Sequence, residues 1–250
     1  MRRAILLVAM MAVSLLLASG VAPAVTKMGT NGPDTLRGTN GDDNLYGKDG
    51  NDVLFALAGK DNLLSGEGKD WVAGGDERVP FGGDKNLLGG PGNDGVQGGL
   101  GSDNALGGLG NDFVHGDNGP DSVIGGEGRD FVDGARGADR MVGGEGGDWL
   151  VDGPLDEAWK DTLSTGGGND IIIVDHVPAT MDLLSCGSGL DRVIADRKDV
   201  VADDCEKVRV VHGSEEEVFE QEDAFFESLP PAVREFFDTF DEQLAPAPFE

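Results

Sequence analysis

Aspartate recurs at intervals of nine residues along about two thirds of this chain. Most of these aspartates take the sixth place of the frame G-G-x-G-x-D-x-U-x, in which U is a large apolar residue. Residues 107–115 show the frame as Gly-Gly-Leu-Gly-Asn-Asp-Phe-Val-His, and seven consecutive copies run in phase from Asp94 to Asp148. A short fixed period of this kind predicts a stack of identical structural units. The aspartates on this spacing are Asp34, Asp43, Asp52, Asp61, Asp70, Asp94, Asp103, Asp112, Asp121, Asp130, Asp139, Asp148, Asp161, Asp170, Asp182 and Asp191.

Each nonapeptide predicts one turn followed by one short strand. Glycine at the first, second and fourth places permits backbone angles that are closed to other residues, so the first six residues form the turn. In the extended segment x-U-x, the U side chain points to one face and its neighbours point to the other. Two repeats therefore complete one circuit. The predicted fold is all-β, a right-handed parallel β-roll of two sheets with about eight circuits over residues 25–194.

Composition and net charge limit the kinds of fold and of binding partner that this chain can have. The chain has 42 Gly and only 6% aromatic residues, which suits a solenoid better than a conventional core. Its net charge of −28 argues against nucleic acid and anionic membranes as partners, because both require basic patches. The same charge favours divalent cations.

The aspartate spacing predicts where such cations would bind. Aspartates eighteen residues apart, such as Asp94 and Asp112, lie one layer apart in a roll with two repeats per circuit, and they would repel each other without a cation. Ca²⁺ takes six to eight oxygen ligands in forgiving geometry, whereas Mg²⁺ requires a strict octahedron. Carboxylates and glycine carbonyls in the turns supply such oxygens, so we expect several Ca²⁺ ions between adjacent turns.

The repeats resemble the RTX, or haemolysin-type, calcium-binding nonapeptide family over about residues 29–194. This resemblance implies a parallel β-roll whose calcium ligands are the sixth-position aspartates and carbonyls of the glycine-rich turns. The central block, Asp94 to Asp148, keeps the family pattern best. Residues 29–32 and 56–59 lack one or both of the leading glycines.

Three insertions interrupt the frame. We expect loops at residues 76–81, 154–159 and 176–178, because insertions in a solenoid leave the stack intact. After the first of these, Lys85 stands nine residues before Asp94, and a lysine at this place would leave one site without its carboxylate.

The N-terminus predicts export. Arg2 and Arg3 precede an apolar run over residues 4–18, and Ala22-Pro23-Ala24 matches a signal-peptidase pattern. We therefore expect residues 1–24 to be a cleaved signal peptide, with an uncleaved anchor as the alternative, and the mature protein to be extracellular. Association with the cell surface is left open, and no membrane span is expected after cleavage.

In an exported chain, Cys186 and Cys205 predict a disulfide, and free thiols are the alternative. This bond would join the last good repeat to capping strands at residues 195–212.

Residues 213–250 hold twelve acidic residues and one basic residue. Their apolar spacing, at Val233, Phe236 and Phe240, predicts an amphipathic helix. This tail either is solvated or lies on the end of the coil, or it docks an unknown protein or cell-surface partner.

The sequence thus predicts a secreted calcium-binding roll with a structural, adhesive or partner-binding role. The alternative is a non-catalytic remnant or accessory module of an RTX-type secreted protease, lipase or epimerase. We expect no enzymatic activity, because the chain lacks His-Glu-x-x-His and Gly-x-Ser-x-Gly. An ice- or glycan-binding face would need a regular outward row, and the outward positions along the chain are mixed, for example Tyr46, Phe55, Gln97 and His115.

Overall fold

The computed structural model describes residues 22–75, 83–84, 86–152, 159–174 and 180–211. This part of the chain forms a parallel β-solenoid of about nine turns, with no helix among the described residues. The predicted β-roll is confirmed. Residues 1–21 of the predicted signal peptide, the three inserted loops (apart from Trp159) and the acidic tail lie outside the described residues, and so does Lys85.

Successive strands alternate between two parallel sheets, because each nonapeptide contributes one strand and the turn then carries the chain to the opposite sheet. Strands one full circuit apart pair in register, so that Val114 lies between Val96 and Val132. Sheet I contains β1 (Thr26–Met28), β3 (Asn44–Asp49), β5 (Asn62–Glu67), β7 (Asn86–Pro91), β9 (Asn104–Leu109), β11 (Ser122–Glu127), β13 (Arg140–Glu145), β15 (Thr162–Gly168), β17 (Leu183–Ser185), β18 (Ser188–Gly189) and β20 (Val200–Val201). Sheet II contains β2 (Thr35–Arg37), β4 (Val53–Leu57), β6 (Trp71–Gly75), β8 (Gly95–Leu100), β10 (Phe113–Asn118), β12 (Phe131–Asp133), β14 (Trp149–Val151), β16 (Ile171–Val174), β19 (Arg192–Asp196) and β21 (Lys207–Val211).

The U positions form the core between the sheets, as the strand period requires. Leu45, Val96, Val114 and Ile172 have no exposed surface, and their equivalents in the other turns are also buried. The first U residue, Leu36, is only partly buried, since it lies near the N-terminal edge of the stack. One apolar side chain per strand is enough to close the core, because the layers on either side complete its packing.

A second buried position lies two residues after U, at the first place of the next repeat. Glycine usually occupies this position, but seven of the described repeats carry a side chain instead. The buried substitutes are Ala56, Ser65, Asp152, Thr165, Val174, Cys186 and Ala195. All of these residues except Ala195 precede a sixth-position aspartate.

The outward positions sort into rows once the two sheets are separated. The mixture seen along the chain arises because neighbouring repeats present these side chains on opposite faces. Sheet I carries an aliphatic row beside a polar row. Sheet II carries a row with four aromatic side chains, in which Phe113 stacks on Phe131 with ring centroids 5.2 Å apart.

The C-terminal end of the roll is closed by β20 and β21 and by the predicted disulfide. Cys186 and Cys205 are bonded, with an S–S distance of 2.02 Å and a Cα–Cα distance of 5.1 Å. The Asp204 carboxylate accepts hydrogen bonds from the backbone N–H groups of Cys186 and Gly187. The disulfide and these bonds tie the cap to the last turns.

Candidate metal centres

The sixth-position aspartates line both edges of the roll in two columns. Fifteen of the sixteen predicted residues are buried, and Asp34, in the first turn, is partly exposed. Within a column, aspartates one circuit apart are neighbours, as the spacing predicts. One column holds Asp34, Asp52, Asp70, Asp94, Asp112, Asp130, Asp148, Asp170 and Asp191, and the other holds Asp43, Asp61, Asp84, Asp103, Asp121, Asp139, Asp161 and Asp182.

Asp84 corrects the sequence-based alignment of the repeats. It is buried, its Oδ1 accepts a hydrogen bond from the N–H of Asp61, and its own N–H donates to Asp103. The site that the nonapeptide count gave to Lys85 is therefore an aspartate site. The nine-residue count missed it because one additional residue separates Asp84 from its core residue Leu87.

One carboxylate oxygen of each aspartate holds the turns together. The N–H of Asp94 donates to Asp112 Oδ1 at 2.8 Å, and the N–H of Asp112 donates to Asp130 Oδ1 at 2.9 Å. The same bond repeats along both columns. At the C-terminal end, other carboxylates take over: Asp199 accepts from the N–H of Asp182, and Glu206 accepts from the N–H of Asp191. The ladder therefore ends on side chains that the repeat period could not identify.

The other oxygen, Oδ2, is buried and has no protein hydrogen-bond partner at many of these positions. Within the part of the chain that the structure describes, this holds at Asp52, Asp94, Asp103, Asp112, Asp121, Asp130 and Asp148. An unpartnered buried carboxylate oxygen is unfavourable in an apolar surrounding, and a cation offers it a partner.

A backbone carbonyl oxygen of the next turn can approach this carboxylate oxygen because the first residue of the repeat is glycine. A Cβ at Gly107 would lie 2.5 Å from Asp112 Oδ2 and 2.8 Å from the carbonyl oxygen of Gly125, one turn further on. A Cβ at Gly125 would likewise lie 2.5 Å from Asp130 Oδ2 and 2.7 Å from the Gly143 carbonyl oxygen. Each such cradle therefore presents a carboxylate oxygen and a carbonyl oxygen to one volume. Hard oxygen donors of these two kinds are the ligands that Ca²⁺ prefers.

A chain with this arrangement matches a known repeat family. Its sequence fits the model of the RTX calcium-binding nonapeptide repeat at residues 28–63, 46–77, 81–114, 88–123, 115–150 and 160–175. These matches together cover more than half of the chain. The chain belongs to the RTX calcium-binding nonapeptide repeat family. No curated protein matches it significantly in sequence.

Not every RTX repeat of this chain keeps the open cradle. The Ser65 hydroxyl donates to the Gly89 carbonyl oxygen, and the Thr165 hydroxyl donates to the Cys186 carbonyl oxygen at 2.7 Å. These hydroxyls lie where the glycine repeats leave space beside Asp70 and Asp170. Ala56, Val174 and Cys186 fill the equivalent position before Asp61, Asp182 and Asp191. The sequence signal for this difference was present, since each substitution replaces the first glycine of a frame.

The first two sites are closed in a different way. Asp34 Oδ2 accepts hydrogen bonds from the backbone N–H and the hydroxyl of Thr30, and Asp43 Oδ2 accepts the same pair from Thr39. The hydrogen bond from the Thr30 backbone lowers the pKa of Asp34. At these sites a threonine supplies the hydrogen bonds that the central carboxylates lack.

Burial raises the pKa of the central aspartates. It brings the pKa of Asp103 and Asp130 to about 6 and that of Asp112 to about 7. The pKa is raised further at Asp121, to about 9, because the neighbouring charges of Asp103, Asp139 and Asp117 add to the effect of burial. In the absence of a cation, Asp121 is therefore protonated at neutral pH, Asp112 is near the midpoint of its titration, and Asp103 and Asp130 lose their protons only as the pH approaches neutrality.

Two side-chain groups near the columns could not be found from the repeat frame. Asp152, Asp161 and Asp182 bring three buried carboxylates within 4.8 Å of one another, and burial followed by the charges of Asp161 and Asp182 raises the pKa of Asp152 to about 10. On sheet II, His115 contacts Asp117 at 3.1 Å and Asp133 at 3.2 Å. Burial lowers the pKa of His115, but hydrogen bonds to these two carboxylates outweigh it and raise the pKa to about 10.

Proposed function

We propose that this protein is an exported calcium-binding roll whose central turns fold around several Ca²⁺ ions. The observation that supports the proposal is the repeated cradle, in which a buried and unpartnered Asp Oδ2 lies close to a backbone carbonyl oxygen of the next turn. The residues that fit best are Asp52, Asp94, Asp103, Asp112, Asp121, Asp130 and Asp148, with the carbonyls beside them.

Bound calcium would supply the positive charge that these columns of carboxylates lack. The aspartates themselves do the structural work, because each one joins its own turn to the preceding turn through Oδ1 and leaves Oδ2 for the ion. Ion binding is thereby linked to the folding of two turns at once. Sites closed by Thr30, Thr39, Ser65 and Thr165 hold their turns with protein hydrogen bonds, so we place the calcium requirement in the central part of the roll.

Export is supported by the basic and apolar N-terminal segment and by the disulfide between Cys186 and Cys205, since disulfides persist in oxidising compartments. The proposal assigns the roll a structural, adhesive or partner-binding role rather than a catalytic one. The described residues contain no helix that could cross a membrane.

Far-UV circular dichroism of the mature chain, residues 25–250, tests calcium-dependent folding. We expect β-structure and melting temperature to rise on addition of millimolar Ca²⁺, to fall with chelator, and to respond much less to Mg²⁺ at the same concentration. A spectrum and melting curve that ignore both Ca²⁺ and chelator would refute the proposal. Isothermal titration calorimetry would then count the ions that the folded roll binds.

A further inference from the structure

The column of carboxylates that begins with Asp43 receives its first hydrogen bond from a residue that is not an aspartate. Val25 lies eighteen residues before Asp43, and its N–H donates to Asp43 Oδ1 at 2.6 Å. The carbonyl oxygen of Val25 accepts a hydrogen bond from the N–H of Asn44 at 2.8 Å. Asp43 forms the same two bonds one turn later, since its N–H donates to Asp61 Oδ1 and its carbonyl oxygen accepts from Asn62. Val25 therefore holds the sixth position of a repeat and starts this column.

The bond that precedes Val25 is also the predicted signal-peptidase bond. Residues 22–24 match the small-residue pattern at the end of a signal peptide, and Pro23 and Ala24 are exposed. The Pro23 carbonyl oxygen accepts a hydrogen bond from the Thr39 hydroxyl at 3.2 Å. Cleavage after Ala24 removes this contact, but it keeps the nitrogen and the carbonyl oxygen through which Val25 is joined to the next turn.

Hydrolysis changes what this nitrogen can donate. Water adds its oxygen to the carbonyl carbon of Ala24 as the C–N bond breaks, which leaves a carboxylate on Ala24, and both water protons pass to the nitrogen of Val25. A neutral amide with one N–H becomes an ammonium group with three N–H donors and a positive charge. An α-amino group has an ordinary pKa of about 8, so it is mainly charged at neutral pH.

We infer that the α-ammonium group of Val25, formed by cleavage after Ala24, binds the Asp43 carboxylate and closes the N-terminal end of the roll. The inference rests on the export that the proposed function includes, and it does not rest on calcium. Hydrogen bonds between charged groups are shorter and stronger than neutral ones, so cleavage strengthens a bond that the amide already forms. The mature N-terminus thus becomes a fixed cation at the end of a column of carboxylates.

The surroundings of Asp43 suit an ammonium partner. Its carboxylate is buried, and the N–H and hydroxyl of Thr39 already donate to Oδ2. A buried carboxylate that lacks a positive partner is unfavourable, and the terminal ammonium supplies that charge from the chain itself. The Thr39 hydroxyl also lies within hydrogen-bond distance of the Pro23 carbonyl oxygen, so cleavage leaves it to Asp43 alone.

The identity of the mature N-terminus is the first test. The full chain is expressed with residues 1–24 in a bacterial host, and the mass of the exported product is measured. We expect a product that begins at Val25. An exported product that begins at any other residue overturns the inference alone, whereas a chain that is retained with residues 1–24 attached overturns the proposed export as well.

Urea denaturation in Ca²⁺ then measures what the ammonium group contributes. Residues 25–250, with a charged amine at Val25, are compared with residues 22–250, which have an uncharged amide at the same place. We expect the unfolding equilibrium constant of the shorter chain to be about fivefold smaller. Asp43→Asn should bring the two constants to within about twofold, because the ammonium group loses its charged partner. Asp34→Asn is the matched control: it changes the first carboxylate of the other column, which is also bound by a threonine, and it should leave the ratio unchanged.

Chemical labelling gives a second readout that does not depend on the stability of a variant. An amine-reactive reagent at neutral pH should modify the α-amine of Val25 in folded 25–250 several times more slowly than the α-amine of Ala22 in folded 22–250. The reason is that the Val25 nitrogen is held against a buried carboxylate. Equal rates in the two folded chains would overturn the inference, and so would a stability ratio that Asp43→Asn leaves unchanged.

Discussion

At the scale of single residues, the two oxygens of each sixth-position aspartate have different tasks. Oδ1 accepts the N–H of the aspartate one turn earlier, and this bond is the same in every turn from Asp34 to Asp170. Oδ2 is bonded by threonine in the first two repeats and is unpartnered in the central ones. A single residue type therefore serves both as a structural link and as a candidate ion ligand.

Replacing Asp112 by Asn separates these tasks. The amide keeps an oxygen to accept the N–H of Asp94, but it removes the charge beside the Gly125 carbonyl oxygen. We expect little loss of stability in chelator and a smaller gain on adding Ca²⁺. One site saturated at a hundred times its dissociation constant contributes about 2.7 kcal/mol. Urea denaturation with and without calcium measures both quantities.

Asp43→Asn is the matched control for this substitution. Asp43 Oδ2 already accepts hydrogen bonds from the N–H and hydroxyl of Thr39, and an amide NH₂ cannot accept them. This variant should lose about 1–3 kcal/mol in chelator as well as in calcium. If Asp112→Asn were equally destabilised in chelator, the proposed division between the two oxygens would be wrong.

The sequence predicted the columns of aspartates because their spacing alone sets which residues become neighbours. It could not predict the closed sites as readily. Ser65 and Thr165 are small polar substitutions that look minor in a nine-residue frame, yet their hydroxyls reach the carbonyl oxygens that the open sites offer to a cation. Asp84 was missed for a related reason, since an added residue shifts the count while the ladder hydrogen bonds preserve the site.

At the scale of strands and turns, the fold follows from the alternation of two sheets. The U position was predictable because a strand has a period of two, and Val114 and Val132 are buried as expected. The outward rows were not apparent, because neighbouring repeats in the sequence contribute to opposite faces. Only pairing at eighteen residues reveals that Phe113 and Phe131 stack, or that Leu88 and Leu106 share a row.

Gly95 tests how the row on sheet II accommodates its large side chains. Glycine replaces a side chain in this row at β8, and the indole of Trp71 lies over it, so that an added Cβ would overlap the ring. Gly95→Ala should displace the indole and cost about 1–3 kcal/mol. Tryptophan fluorescence of the folded protein should change accordingly.

Gly32→Ala offers a control for the Gly95 substitution, because a Cβ at Gly32 would meet nothing within 4 Å. It should leave both the fluorescence and the midpoint of denaturation nearly unchanged. Equal losses in the two variants would show that the effect at Gly95 does not come from contact with Trp71.

At the scale of the whole molecule, the roll is a stack of buried carboxylates in a chain of net charge −28. Its stability without calcium must therefore depend on protons. The central aspartates have folded pKa values of about 6 at Asp103, about 7 at Asp112 and about 9 at Asp121, all above the ordinary 3.8. Between 3.8 and these values, the folded chain binds more protons than the unfolded chain.

The sign of the pH effect follows directly. Where the folded state binds more protons, the free energy of unfolding falls as pH rises. The calcium-free roll should be most stable near pH 4 and should lose stability progressively up to about pH 9. Calcium requires the deprotonated carboxylates, so the difference in melting temperature between calcium and chelator should grow from pH 5 to pH 8.

Asp121 should account for much of the slope at neutral pH, since its pKa is raised further than that of Asp112 or Asp103. Asp121→Asn should flatten the decline of calcium-free stability between pH 6 and pH 9 by removing a group that must ionise while buried. Asp34→Asn removes the same charge from a site whose pKa is lowered by the Thr30 backbone, so it should leave this pH range unchanged. Thermal melts in chelator at unit pH intervals measure this dependence. A calcium-free roll that is more stable at pH 8 than at pH 5 would show that the burial of ionisable carboxylates is not the origin of the calcium requirement.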